Sequence, residues 1–173
     1  MAAAQYWFDG PDGLRLFSRV YAAPTAAAPV VVCLHGLMRN GRDFEDLAEH
    51  LCGRYRVIVP DVRGRGLSAR DPNFNNYQIP VYLNDLLLLC AGLGIGRASI
   101  IGTSMGGLMA MVLAVMQPQL VAGVVRPEDI ESDNTIDLPK IAEARVAYGG
   151  KGELTDIQRS PWGQHALDIV LPF

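Results

Sequence analysis

Residues 98–108 read Ala98-Ser99-Ile100-Ile101-Gly102-Thr103-Ser104-Met105-Gly106-Gly107-Leu108, and this stretch decides the fold. A short β-rich run stops at a glycine, and a small-residue, Met-rich run then occupies residues 108–117 until Pro118 ends it. The pattern predicts strand, tight turn, helix. Within it Gly102 to Gly106 matches G-x-S-x-G in the context that motif requires. A serine held there sits on a strained turn with its hydroxyl at the sheet edge, and the flanking glycines let neighbouring backbones approach without a Cβ clash. The start of the following helix adds unpaired N–H groups and the positive end of a dipole, which favour a negative oxygen beside Ser104. The Met105 N–H is the first candidate donor to such an oxygen. Taken alone, Ser104 could also be a simple helix cap in a Gly-rich turn.

Working upstream, residues 30–34 form a continuous β-rich run of the kind buried on both faces of a parallel sheet. It leads into His35-Gly36-Leu37-Met38, where the Leu37 N–H is the candidate second donor and His35 is expected to fix the loop. Residues 43–51 place Phe44, Leu47, Ala48 and Leu51 at helical spacing, and residues 55–59 make the next strand. A Gly-, Arg- and Asp-rich loop fills 60–72. Residues 81–93 are apolar nearly all round, which predicts a buried helix with Asp85 as its polar exception. Nearer the start, residues 6–8 and 14–21 flank Asp9-Gly10-Pro11-Asp12-Gly13 and predict an antiparallel hairpin. Residues 120–125 predict a sixth strand. The class is α/β: a mostly parallel sheet flanked by helices on both faces.

Past residue 125 the alternation stops, and a polar, acidic stretch begins. The chain therefore divides into a core over residues 1–125 and an atypical tail over 126–173. Gly92-Leu93-Gly94-Ile95-Gly96 follows a helix and precedes a strand, the reverse of what pyrophosphate binding needs, so no dinucleotide site is read there.

Composition narrows the function classes. The chain has 173 residues, half of them hydrophobic, with a formal net charge of -3. Its Lys and Arg residues are scattered, so neither nucleic acid nor an anionic membrane is an expected partner, and a small-molecule substrate is. Cys33, Cys52 and Cys90 form an odd, widely spaced set without metal-ligand spacing. They read as reduced, buried thiols. The first ten residues lack a secretory pattern, and no apolar run approaches the roughly 18 residues of a membrane span, so the cytoplasm is the expected compartment. No metal or organic cofactor is implied.

Three ordered motifs carry a resemblance: Leu34-His35-Gly36-Leu37 with Phe44 downstream, Asp61-Val62-Arg63-Gly64-Arg65-Gly66-Leu67-Ser68, and the turn around Ser104. With these the chain resembles an α/β-hydrolase of the small esterase and carbon–carbon hydrolase type. The resemblance implies Ser104 as nucleophile, with an oxyanion hole from Leu37 and Met105 supported by His35, Gly36, Gly102 and Gly106. It also implies a lid after residue 125 and two further strand–helix units bearing an acid and a histidine. Those units are not recognisable, so the fold is expected to be truncated after the sixth strand, with the tail standing where the lid would be. The usual order of serine, acid, histidine makes His165 the default base, since it alone follows Ser104. Asp129 and Asp133 are the leading acids, ahead of Asp156 and Asp168. Serine in place of aspartate at the turn argues against haloalkane or epoxide chemistry.

Two functions stay open at this point. One is ester or similar carbonyl hydrolysis through an acyl-enzyme, and the other is an inactive truncated hydrolase or a non-catalytic small-ligand binder of the same fold. Arg63 and Arg65 could hold a substrate carboxylate, although paired arginines in a Gly-rich loop more often brace it. A sheet edge left open by truncation would invite homodimerisation.

Overall fold

A computed structural model describes residues 3–125 of the chain. It opens with an antiparallel hairpin of β1 (Ala4–Asp9) and β2 (Arg15–Tyr21), paired in register from Ala4 with Val20 to Asp9 with Arg15. Gly13, at φ 78°, supplies the left-handed residue of the connecting turn. The Asp12 carboxylate accepts from the Leu14 N–H at 3.2 Å and closes it. β3 (Val30–Leu34), β4 (Arg56–Asp61), β5 (Ala98–Gly102) and β6 (Val121–Val125) follow. The sheet order is β1-β2-β4-β3-β5-β6. β4 joins β2 antiparallel, whereas β3, β4, β5 and β6 pair parallel to one another.

The helices take both faces, as expected. α1 (Glu45–Leu51) connects β3 to β4 across one face, where Val31, Cys33, Val57, Val59 and Ile101 pack with Phe44, Ala48 and Leu51. α2 (Ile79–Gly92) and α3 (Met105–Met116) cover the other face, where Val32, Leu34, Ile58 and Ile100 meet Leu83, Leu86, Met109 and Leu113. Alternate residues of the same β-branched strands thus serve two cores, which is why these strands read as unbroken apolar runs. Two starts differ slightly from the periodicity. The helix expected from residue 43 is preceded by a 3-10 turn over Gly41–Phe44, capped by the Asn40 side chain on the Arg42 N–H. α3 begins at Met105, ahead of the pair Gly106-Gly107, whose low helix propensity hides the start from a sequence reading.

The chain runs from β3 to β4 on one side and then returns to place β5 on the other side of β3. In an open sheet of this kind, the crevice outside the carboxyl ends of the strands, at the point of reversal, is where ligands bind. The loop after β3 and the turn after β5 both open there. Among the described residues no helix is long and apolar enough to cross a membrane.

Candidate active site

Ser104 occupies the bend between β5 and α3 at φ 53° and ψ -116°, and among the described residues it is the only non-glycine with a positive φ. Such a conformation costs on the order of 1–3 kcal/mol and persists only where the surroundings impose it. The surroundings do. Thr103 N–H donates to the Leu34 carbonyl at 3.0 Å and extends the β3–β5 ladder to the residue before the serine. Gly106 N–H donates back to the Thr103 carbonyl at 3.0 Å. A Cβ at Gly106 would fall on the Leu34 carbonyl, and one at Gly102 on the Gly106 carbonyl, so both glycines are required for the helix to sit this close to the strands. Ser104 stands at the N-cap position of α3, yet its hydroxyl makes no capping hydrogen bond. The side chain is left exposed.

The loop after β3 lies against it. A Cβ built at Gly36 would be 3.7 Å from the Ser104 Cβ, which is ordinary contact. His35, fully buried, stands behind the loop with both ring nitrogens engaged: Nδ1 lies 2.8 Å from the Gly36 carbonyl, and Nε2 accepts the Val62 N–H at 3.0 Å. Burial holds its imidazole below the ordinary histidine range, so the ring is neutral and donates from Nδ1. Arg39 N–H donates to the same Gly36 carbonyl at 3.1 Å. The Gly36 carbonyl and the Leu37 N–H belong to one trans peptide and point in opposite directions, so fixing the carbonyl fixes the amide. Neither the Leu37 nor the Met105 N–H donates to another described residue.

The segment from Asp61 to Ser68 folds around buried polar side chains. Asp61 accepts from Gly41 N–H at 2.7 Å and Leu67 N–H at 2.9 Å, joining the loop after β4 to the one after β3. Gly66, at φ 53°, lies so close that a Cβ there would fall on the Asp61 carboxylate. Ser68 Oγ donates to the Asp61 carbonyl at 2.6 Å and accepts from Phe17 N–H at 2.9 Å. Arg63 is wholly buried and gathers three carboxylates: Asp85 by a double hydrogen bond at 2.7 Å, Asp71 at 2.6 Å and Asp12 at 2.8 Å. Hydrogen bonding to Asp85 holds the guanidinium charged, and Arg63 in turn lowers Asp12. Asp85, the lone polar residue inside α2, is explained by this partner. Both residues stand out in the sequence, but no local pattern connects them.

Of the site residues expected from sequence, the structure brings together Ser104, Met105, Gly102, Gly106, His35, Gly36 and Leu37. His165, Asp129, Asp133, Asp156 and Asp168 lie outside the described residues. His50 is exposed at the far end of α1, on the side where β4 begins, so among the described residues no histidine is available to Ser104. Cys33, Cys52 and Cys90 are buried free thiols, and burial pushes Cys90 up to about 11. No group of side chains among the described residues is placed to hold a metal ion.

The family described as alpha/beta hydrolase fold matches residues 29–140, more than half of the chain. A second family, described as flagellar L-ring protein, matches residues 116–172. A crystal structure of an alpha/beta hydrolase from Novosphingobium aromaticivorans is similar, with 37% identity and a TM-score of 0.69, over 92% of this chain and 57% of that one. The 3-hydroxybutyrate-oligomer hydrolase of Cupriavidus necator is 45% identical over 104 residues, which are 60% of this chain and 36% of that protein. The flagellar L-ring protein of Afipia carboxidovorans is 62% identical over 58 residues, 34% of this chain and 23% of that protein. The chain thus spans little more than half of the similar hydrolase structure and about a third of the oligomer hydrolase.

Proposed function

Because the chain belongs to the alpha/beta hydrolase fold family, we propose that Ser104 is the nucleophile of a serine hydrolase acting on an ester or similar carbonyl substrate. The observation that carries this reading is the strained conformation of an exposed serine at the strand-to-helix bend, which capping does not explain. In the proposed reaction a histidine takes the hydroxyl proton while Ser104 Oγ bonds to the carbonyl carbon. The tetrahedral intermediate then collapses, the ester C–O bond breaks, and the histidine's proton goes to the leaving alkoxide. Water repeats the sequence on the acyl-enzyme and releases the acid. The Leu37 and Met105 amides are assigned to the oxyanion, each worth roughly 10²- to 10³-fold in rate. His165 as base and Asp129 as acid belong to the same proposal. Serine rather than aspartate at position 104 favours acyl transfer over epoxide opening.

The test is hydrolysis of 4-nitrophenyl butyrate. Turnover by the wild-type protein that disappears in Ser104→Ala supports the reading, and turnover that survives in Ser104→Ala overturns it. A second reading has its own observation behind it. Residues 116–172, which contain both His165 and Asp129, match the flagellar L-ring family. On that reading the chain joins the nucleophile half of a hydrolase to a segment of different kinship, and Ser104 has no base of its own. A folded wild-type protein with no turnover favours it.

A further inference from the structure

Arg63 and Arg65 stand two residues apart and are partnered in contrasting ways. Arg63 has three carboxylates around it, whereas Arg65 has none: its Nε donates to the Leu37 carbonyl at 3.1 Å, and its Nη1 to the Arg63 carbonyl at 2.9 Å and the Tyr82 hydroxyl at 3.1 Å. All three acceptors are neutral, and among the described residues no ion pair reaches Arg65. The guanidinium packs against two rings, with Cζ 5.6 Å from the Tyr77 centroid and 5.3 Å from that of Tyr82. This holds the plane in place. Nη2 makes no hydrogen bond, and no unpartnered side-chain nitrogen among the described residues is sealed from solvent, so its donors are open.

The position of this cation is what gives it a use. It touches Leu37, whose neighbour Gly36 rests against Ser104. Leu37, which it touches, is 52% exposed, and so is Leu67 two residues along the same loop; Met38, next to Leu37 in the chain, is 90% exposed. A fixed, half-buried cation with no carboxylate paired to it, beside exposed leucines, suits a ligand that is apolar along its length and anionic at one end.

We propose that Arg65 is a specificity residue that binds a free carboxylate on the substrate, so that the site takes short esters bearing a carboxylate a few atoms from the scissile carbonyl. This rests on Ser104 being the nucleophile, and the experiment separates the two claims. The kcat/KM for mono-(4-nitrophenyl) glutarate is compared with that for the uncharged 4-nitrophenyl pentanoate. The wild-type protein prefers the anionic ester, the preference shrinks as NaCl is raised, and Arg65→Gln lowers the anionic-to-neutral ratio by about 10- to 100-fold. A wild-type protein with no preference, or a ratio unmoved by Arg65→Gln, overturns the proposal and leaves Arg65 a brace for the Leu37 loop. If neither ester is hydrolysed, the nucleophile reading fails alone. Binding of monomethyl glutarate to Ser104→Ala by calorimetry then decides: binding weakened about 10-fold or more by adding Arg65→Gln sustains the carboxylate site, and binding that is absent or indifferent to Arg65 ends it.

Discussion

Val62 donates its main-chain N–H to Nε2 of His35 at 3.0 Å, while Nδ1 of the same ring holds the Gly36 carbonyl at 2.8 Å. One neutral ring therefore ties the end of β4 to the peptide that carries the Leu37 amide. His35→Leu leaves the buried Val62 N–H without its acceptor, at about 1–3 kcal/mol for the group left unsatisfied, and leaves the Gly36 carbonyl held by the Arg39 N–H alone. Urea unfolding should show a lower midpoint at neutral pH. An unchanged midpoint would mean that the bridge contributes nothing.

The same ring predicts a pH dependence. Burial lowers the His35 pKa from the ordinary histidine value of 6.5, so the folded state favours the neutral form. Its contribution is complete above the unfolded pKa and is lost as pH falls through the folded one. By urea denaturation the wild-type protein should lose stability as pH falls below about 6.5, and His35→Leu should lose less. Parallel curves for the two proteins would contradict the assignment.

Arg63→Met should be among the most damaging single changes. It leaves Asp12, Asp71 and Asp85 close together without their cation, and removing one partner of a buried ion pair costs about 3–5 kcal/mol. Without the guanidinium the folded-state pKa values of these carboxylates rise, so mild acid should partly restore the variant's melting temperature. A variant that melts like wild type at pH 7 refutes the network.

Gly106→Ala tests the bend. Its Cβ meets main chain rather than a movable side chain, so overpacking should cost at least about 1–3 kcal/mol and shift Ser104. Gly53→Ala, where nothing lies within 4 Å of the new Cβ, should melt close to wild type and serves as the comparison.

What could be read from the sequence follows from range. β3, β5 and the Ser104 bend are local patterns: β-branched runs and a glycine-flanked serine carry their structure within a few residues. The parallel pairing with helices on both faces also follows, because strands alternate with helices along the chain; the strand order does not. The Arg63 network does not, since it joins a hairpin turn, two loop positions and α2, contributed by Asp12, Arg63, Asp71 and Asp85. One signal could have pointed to it: an aspartate inside an apolar helix needs a buried cation. Arg65 stands out in the sequence, but its surroundings are hidden for the same reason, because its neutral acceptors and tyrosine rings are assembled only by folding.

The most direct measurement of the central claim is covalent labelling of the folded protein with a fluorophosphonate, read by peptide mass spectrometry. The account predicts a single phosphonylated site at Ser104, absent from Ser104→Ala and slowed by His35→Leu. Adduct on a different residue, with Ser104 unmodified, would contradict it.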